Sequence, residues 1–504
     1  MIDYVRKILD ARVYDVAVQT PLDGMARLGQ RLGCRVWLKR EDLQPVFSFK
    51  IRGAYNRIAR LTPAERAAGV ICASAGNHAQ GVALSAQRLG IRATIVMPVT
   101  TPSIKIDAVR YFGGEVVLHG DTFEEAHERA RALEAAEGLT FVHPYDDPEV
   151  IAGQGTIGME ILHQHPEPIE AIFVPIGGGG LAAGVASYVK FLRPETKVIG
   201  VEPADAASMK AALAAGTRVV LERVGLFADG TAVRQVGVET FRVCRELLDD
   251  VLVADTDELC AAIKDIFEDA RVIAEPSGAL ALAGLKAYVA RHPTRTGALV
   301  AINSGANMNF DRLRHVAERA EIGEAREILL GVTIPETPGS YRAFVDVLGA
   351  RTITEFNYRY ADDASAHVFV GLKLADAARD KVAVISELTT RGYEVIDISA
   401  DETAKLHVRY MVGGRAPALR DEVLFRCEFP ERPGGLAKFL DAMGDDWNIT
   451  LFHYRNHGAD YGRVLAGMRV PPADRARFTD RLRALGYPFE DETSNPAYRM
   501  FLGG

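Results

Sequence analysis

A lysine at the first position of a helix is poorly served there as a permanent charge, because the partial positive charge of the helix start repels it. The sequence offers such a position in SFKIRGAYNRI, where Lys50 directly follows Phe49 at the start of a helical pattern. A solvated surface charge satisfies the pattern. So does an amine that is neutral or held as an imine, and that second reading asks for a carbonyl cofactor.

Three further segments carry residue types suited to binding anions and amides. In VICASAGNHAQGVALSAQRLG an apolar run ends in Ser74, Ala75 and Gly76, whose backbone N–H groups suit a carboxylate; Asn77 then supplies an amide able to donate and accept, and His78 stands at a helix start. An ordinary strand-to-helix turn capped by Ser74 or Asn77 fits the spacing equally well. In AIFVPIGGGGLAAGVASYV, the glycines Gly177, Gly178, Gly179 and Gly180 lead an apolar run into a helix, and successive unhindered N–H groups there form an anion nest. Gly178, Gly180 and Ala183 also satisfy G-x-G-x-x-A, with Glu202 following about 20 residues on, so a dinucleotide competes evenly with a simple phosphate. In ALVAINSGANMNF, Ser304 ends an apolar run, where its hydroxyl serves either a cofactor ring nitrogen or the following turn.

These segments need a frame that brings strand ends together. From Arg35 to about Asn309, β-branched runs alternate with longer helical segments, the pattern of an α/β fold. The runs 36–39, 70–74, 93–98, 115–119, 171–176, 197–202 and 298–303 are apolar without alternation, as strands of a parallel sheet are. In such sheets ligands collect at the carboxyl ends of the strands. Between the runs lie helices such as the one after Asp121 or Thr122, stopped at Gly138, and another from Asp255.

Composition bounds the function. At 504 residues the chain has room for about three folding units. Lys and Arg number 59 against 67 Asp and Glu, a net charge of −8 that disfavours nucleic acid as a partner. Hydrophobic residues at 48% and charged residues at 25% exclude a disordered or membrane-dominated chain. The five cysteines are scattered with no C-x-x-C pair, against a disulfide framework and a zinc site, and the N-terminus lacks an uninterrupted apolar segment. A cytoplasmic location is the resulting expectation. The uncharged stretch Ala171 to Val189 is long enough for a membrane span, but Pro175 and its glycines argue against one, and no membrane contact is expected. His163 with His165, and His453 with His457, lack a matching ligand pattern and read as surface residues, so no metal site is expected.

Beyond a charged helical stretch after Asn309 the chain repeats itself. IPETPGSYRAFVDVLG at 334–349 aligns with FPERPGGLAKFLDAMG at 429–444 at a shift of 95 residues, and after one insertion Tyr358 and Arg359 fall on Tyr454 and Arg455 at a shift of 96. Each copy reads as strand, turn, helix, strand, strand, helix, a small α+β unit.

Taken together and in this order, SFKIRGAY, SAGNHAQG, GGGGLAAG and NSGANMN resemble the fold type II family of pyridoxal phosphate enzymes, and most closely its biosynthetic threonine dehydratases, over nearly the whole chain. The duplicated tail, with its PETPGS and PERPGG turns, resembles a pair of ACT-like regulatory modules. The resemblance implies a fold type II catalytic domain of two subdomains at residues 1–320, a linker at 321–330, one module at 331–404, a connector at 405–425 and a second module at 426–504. It implies that pyridoxal 5'-phosphate is held on Lys50 as a Schiff base, that Asn77 meets its phenolic oxygen, that Gly177 to Gly180 with the Leu181 amide hold its phosphate, and that Ser304 faces its ring nitrogen. The nucleotide reading of the glycines then falls away.

The same resemblance implies that the substrate carboxylate sits on the amides of Ser74, Ala75, Gly76, Asn77 and His78, and that Lys50, once freed, removes the α-proton of L-threonine. Loss of the β-hydroxyl and hydrolysis of the enamine then give 2-oxobutanoate and ammonia; L-serine is the alternative substrate. Related racemases carry a second serine where this chain has Ala75, which disfavours racemisation. Some relatives bind a cation near the residue matching Glu202, and Ser208 stands here where they have an acid. In the tail, isoleucine as inhibitor and valine as antagonist are implied, with Tyr358, Arg359, Tyr454 and Arg455 as the candidate contacts beside the turns at Gly339 and Gly434. A homotetramer is implied as well. Another fold type II enzyme, such as a threonine synthase or a β-replacement transferase, and a non-catalytic amino-acid sensor are the alternatives.

Overall fold

The alternation of apolar runs and helices resolves into two sheets, in keeping with the two subdomains expected, and both are parallel but for one edge strand. The computed structural model describes residues 3 to 502, apart from 294–296, 325, 350, 361–363, 375–376, 407, 412, 415, 417–418, 431–438, 442, 444–445 and 456–460. It divides into two units, Met1–Gly323 and Glu324–Gly504.

In the first unit, the larger sheet runs in the order Leu22–Gly24, Val36–Arg40, Ala298–Asn303, Ile169–Pro175, Lys197–Pro203 and Asp250–Ala254. Only the edge strand Leu22–Gly24 is antiparallel to its neighbour. The strands are apolar on both faces because both are covered. Phe173 and Val201 pack with the helices Thr256–Ala270 and Pro276–Arg291, while Ile172 and Val174 pack with the helices Pro148–Gln164 and Gly180–Leu192. The smaller sheet, Glu115–Leu118, Ala93–Met97, Val70–Ala73 and Thr140–Phe141, is parallel throughout. Cys72 and Ile95 face the helices Lys50–Ala59 and Asn77–Leu89; Ile71 and Val96 face the helix Phe123–Glu137. That last helix has Thr122 as its N-cap in a capping box with Glu125 and stops at Gly138 in the left-handed region, as its sequence signals require. All seven predicted runs are strands, with ends displaced by at most two residues.

The uncharged stretch at 171–189 is strand, glycine turn and helix, and among the described residues no helix is long and apolar enough to cross a membrane. His165 departs from its surface reading: it is buried, with its ring edge-on to Trp37 at 5.2 Å, because the turn after the helix Pro148–Gln164 folds back onto the strand Val36–Arg40. His163 is exposed, and His457 lies outside the described residues.

In the second unit the two repeats form one antiparallel sheet of eight strands, ordered Glu394–Asp397, Glu327–Pro335, Ser365–Lys373, Ile353–Arg359, Asn448–Arg455, Tyr461–Arg469, Glu422–Pro430 and Phe489–Asp491. The copies meet where Phe356 pairs with Tyr454 and Tyr358 with Phe452, about a centre at Asn357 and His453. Tyr358 and Tyr454, Phe356 and Phe452, and Asn357 and His453 are each 96 residues apart, so the join is pseudo-twofold. Pairing these two strands removes an exposed edge from each copy, and one core containing Phe344, Phe356, Phe425, Phe439 and Phe452 serves both. The stretch 321–330, expected as a linker, is instead helix to Gly323 and strand from Glu327; the expected connector 405–425 includes the short helical turn Val408–Tyr410 and the first residues of the strand Glu422–Pro430.

Candidate active site

Lys50 is delivered by the N-terminus of the helix Lys50–Ala59, and that helix is anchored two residues later by a buried ionic cluster. Arg52, fully buried, bonds Glu41 at 2.7 Å and Glu160 at 2.5 Å, and Glu160 also receives Lys39 at 2.6 Å. Burial pushes the Glu41 carboxyl up, but the Arg52 guanidinium outweighs it and holds that carboxyl below its usual range. An arginine paired on two sides by carboxylates from different elements leaves the helix little freedom to rotate. The Lys50 amine donates to the carbonyl of Pro144 at 2.9 Å and stands 5.3 Å from the centre of the Phe49 ring. Burial lowers it to about 8, against the opposing pull of the Glu275 carboxylate.

The four sequence segments converge on the cavity that this amine lines. Phe49, Lys50, Ser74 to His78, Gly177 to Leu181, Ser304 and Asn307 all border a space of about 980 Å³. Its floor is the carboxyl ends of the strands Val70–Ala73, Ile169–Pro175 and Ala298–Asn303, the place where open α/β sheets leave backbone groups free. Ser304, buried, donates through Oγ to the Ser277 carbonyl at 3.2 Å.

The glycine loop is made of glycine because nothing larger fits. A Cβ at Gly178 would lie 2.2 Å from the Tyr145 ring, one at Gly180 would lie 2.9 Å from the Tyr145 carbonyl, and Gly179 has φ of 96°. The loop is pinned from behind: Thr240 Oγ1 donates to the Gly178 carbonyl at 2.6 Å. Its amides therefore sit at the start of the 13-residue helix Gly180–Leu192.

The turn at 74–78 departs in part from its expected use. The Ser74 amide is spent on the Val96 carbonyl at 3.2 Å, since the small sheet's pairing extends one residue past the strand, and the Gly76 amide turns back to Ser74 Oγ at 3.3 Å. Asn77 and His78 open the helix Asn77–Leu89, where first-turn amides precede any intrahelical acceptor. The His78 imidazole is turned away to the Val142 carbonyl at 2.8 Å, and burial together with the nearby Lys50 amine lowers it to about 3, so it is neutral.

Three residues at the cavity carry chemistry that sequence reasoning missed. Glu275, buried, accepts from Asn77 Nδ2 at 2.6 Å, and burial with the nearby Asp229 carboxylate raises it to about 7. His143 accepts at Nδ1 from the amides of Tyr145 and Asp146, at 3.2 and 2.8 Å, which leaves its proton on Nε2. Tyr145 lays its ring over the glycines. The run HPYDDP in which the last two sit carries no motif of its own.

Outside the cavity, the Glu202 carboxylate accepts from the amides of Met209 and Lys210 at 2.7 and 2.8 Å, so both of its oxygens serve the start of the helix Ser208–Ala215. In the second unit, Tyr358 and Tyr454 are buried in the shared core. The Tyr358 hydroxyl donates to Glu336, which also receives Asn448 Nδ2 at 2.6 Å. Arg359 is committed to Glu422 and to the carbonyls of Gly414, Thr450 and Leu502. Gly339, at φ of 86°, starts the helix Ser340–Leu348, whereas Gly434 and the side chain of Arg455 lie outside the described residues.

Comparison with known proteins matches residues 13–305 to the pyridoxal-phosphate dependent enzyme family, and residues 318–408 and 413–502 each to the C-terminal regulatory domain of threonine dehydratase. The chain is 59% identical to the biosynthetic L-threonine dehydratase IlvA of Burkholderia multivorans, over 99% of both chains. It is 55% identical to that of Escherichia coli, over 100% of this chain and 97% of the relative. Among solved structures it resembles the processed form of threonine deaminase isoform 2 from Solanum lycopersicum, at 53% identity and a TM-score of 0.62 over 63% of this chain and 88% of that one. Maize serine racemase is similar at 33% identity, with a TM-score of 0.59 over 63% of this chain and 96% of that one.

Proposed function

The chain belongs to the pyridoxal-phosphate-dependent enzymes and, within them, to the biosynthetic threonine dehydratases, and from that premise we propose that it deaminates L-threonine to 2-oxobutanoate and ammonia. The observation that carries the reading is convergence: one buried amine, Lys50, shares a cavity with the glycine loop, the turn at 74–78 and Ser304.

The residues present fit pyridoxal phosphate. The loop from Gly177 to Gly180 is a cradle in which a Cβ would collide, its amides at a helix start suit a phosphate, and the Lys50 amine is of a basicity suited to binding a carbonyl. When bound, the cofactor supplies an electron sink for the bonds at the substrate's α-carbon. The chain's own residues do the rest. Lys50 holds the cofactor and then takes the α-proton at Nζ, steered by the Pro144 carbonyl. The amides of Ala75, Asn77 and His78, with the Ser74 hydroxyl, receive the substrate carboxylate. Asn77 and Ser304 fix the cofactor ring at two points. Ala75 offers no hydroxyl as an acid on the opposite face, which favours elimination over racemisation.

The C-terminal unit is the regulatory part of this proposal: isoleucine inhibits through it and valine opposes isoleucine. L-serine is a second substrate by the same chemistry, and the assembly is a cytoplasmic homotetramer, as the resemblance implies. The test is the purified protein with L-threonine, scored for 2-oxo acid and ammonia with and without isoleucine. No 2-oxo acid from a protein that carries its cofactor overturns the reading.

A further inference from the structure

Asn77 is held at both ends of its amide, and the polarity of each contact can be traced to a backbone carbonyl. Asn307 Nδ2 lies 2.9 Å from the carbonyl oxygen of Val46, a group that can only accept, so this end of the Asn307 side chain is its NH₂. The same Nδ2 lies 2.7 Å from the Asn77 amide, and the atom it faces must therefore be the acceptor, Oδ1. The other end of Asn77 is then Nδ2, and it lies 2.6 Å from Oε1 of Glu275. The Glu275 carboxyl is itself fixed, because it also receives the backbone N–H of Asn307, while its own amide donates to the Gly305 carbonyl at 3.1 Å.

We infer that Asn307 and Glu275 are positioning residues that set the orientation of the Asn77 amide, so that Asn77 meets the cofactor only as a hydrogen-bond donor. One proton of its NH₂ goes to Glu275 and the second remains for the cavity that Asn77 lines. A phenolic oxygen carrying negative charge needs that donor; a reversed amide would present Oδ1 to it and repel it. The inference rests on the proposed role of Asn77 against the cofactor's phenolic oxygen. It adds a reason for the last Asn of the SGAN run, which is bound to the other segments by hydrogen bonds across 230 and 261 residues of sequence.

The test uses the full chain freed of cofactor and titrated with pyridoxal phosphate, reading affinity and the visible absorption band. Thermal unfolding of the cofactor-free protein serves as the fold control. Asn307→Asp replaces the obligatory donor by an acceptor and should weaken cofactor binding about tenfold and shift the band. Glu275→Leu should act in the same direction, while Glu275→Gln, which keeps an acceptor oxygen, should retain the parent band. Asn77→Ala should reproduce the loss, and adding Asn307→Asp to it should cost less than about twofold more. If Asn77→Ala changes neither affinity nor band, the role of Asn77 as a cofactor contact fails. If Asn77→Ala changes both, but Asn307→Asp leaves them at parent values or adds in full on top of it, Asn77 keeps its role and the positioning inference is overturned. Should Asn307→Asp unfold the protein, loss of the band in a folded Glu275→Gln protein overturns the inference equally.

Discussion

The amide of Phe49 donates to the carbonyl oxygen of Ser304 at 3.1 Å. With the Ala306 amide on the Phe47 carbonyl at 2.9 Å and a bridge between Ser48 and Gly305, it ties two segments some 255 residues apart into one short antiparallel pair. The residue that carries the amine and the residue expected at the ring nitrogen are thus held in a fixed relation by main-chain bonds, which no side-chain substitution at either position removes. Substitutions at Ser304 should therefore report on its hydroxyl. Ser304→Ala should weaken cofactor retention and slow elimination about tenfold, and Ser304→Asp should raise side reactions that need a stabilised carbanion. Rate and product analysis decide the matter: if both variants match the parent, the hydroxyl does not face the ring.

Lys50→Ala removes both the proposed attachment point and the proposed base. It should lack the visible absorbance of the bound cofactor and all turnover, with the fold kept, since the ionic cluster about Arg52 is untouched. Because burial lowers the Lys50 amine to about 8, recapture of pyridoxal phosphate by the cofactor-free protein should accelerate as pH rises toward and through that value. A rate flat from pH 6 to pH 10 would remove this account of the amine.

How far the sequence discloses this site depends on whether a signal is local. The strands at 70–73, 169–175 and 298–303 are apolar runs ended by small residues, and their carboxyl ends already mark Ser74, Gly177 and Ser304 as neighbours of a ligand. Strand order is not local: the runs at 70–73 and 298–303 read alike, yet they lie in different sheets. The strand Leu22–Gly24 has only three residues and no β-branched side chain, so no pattern announces it. Glu275 is silent for a related reason. In AEPSGAL it reads as an acidic residue before a helix-starting proline, and only folding buries it and brings Asn77 across 198 residues of sequence.

The burial of Glu275 has a consequence for stability with a definite sign. Its carboxyl is raised from 4.5 to about 7, so between those values the folded state binds more protons than the unfolded state, and stability falls as pH rises. This contribution is fully present below pH 4.5 and is lost by about pH 7. Glu275→Gln cannot titrate, so the difference in unfolding free energy between variant and parent should move in the variant's favour by about 2 to 3 kcal/mol across that window. Urea unfolding of the cofactor-free protein at pH 4.5, 6 and 7.5 measures it; a difference that does not change with pH would mean that Glu275 is not raised.

Gly178→Ala tests the crowding of the glycine loop proposed to hold the cofactor's phosphate. The added methyl would stand 2.2 Å from the Tyr145 ring, and the ring cannot withdraw without giving up the hydrogen bond of its hydroxyl to the Gln235 carbonyl. We expect a loss of about 1 to 3 kcal/mol in stability and a larger loss of cofactor affinity. Shortening the ring in Gly178→Ala/Tyr145→Leu should recover part of the stability, as thermal unfolding would register.

The last prediction concerns regulation. The first unit ends at Gly323 and the second has a core of its own, so a chain ending near residue 323 should keep threonine deamination, if it stays soluble, and lose inhibition by isoleucine. The coupling at stake is about 1 to 3 kcal/mol, and linkage requires threonine analogues to weaken isoleucine binding by the same factor. Within the second unit, Tyr358 must be tested with care. Its ring packs against Tyr341 at 5.0 Å in the core, so Tyr358→Ala would cost several kcal/mol of packing, about 3 to 5 by the usual figure for a large aromatic, and would blur an effect on binding. Tyr358→Phe keeps the ring and removes only the hydroxyl that bonds Glu336, a group shared with Asn448 of the second repeat. If this cross-repeat contact transmits the effector, Tyr358→Phe and Asn448→Ala should each raise the isoleucine concentration for half inhibition several-fold, with the uninhibited rate unchanged. Full inhibition of the truncated chain by isoleucine would instead place the effector in the catalytic cavity, and the regulatory role of the C-terminal unit would have to be given up.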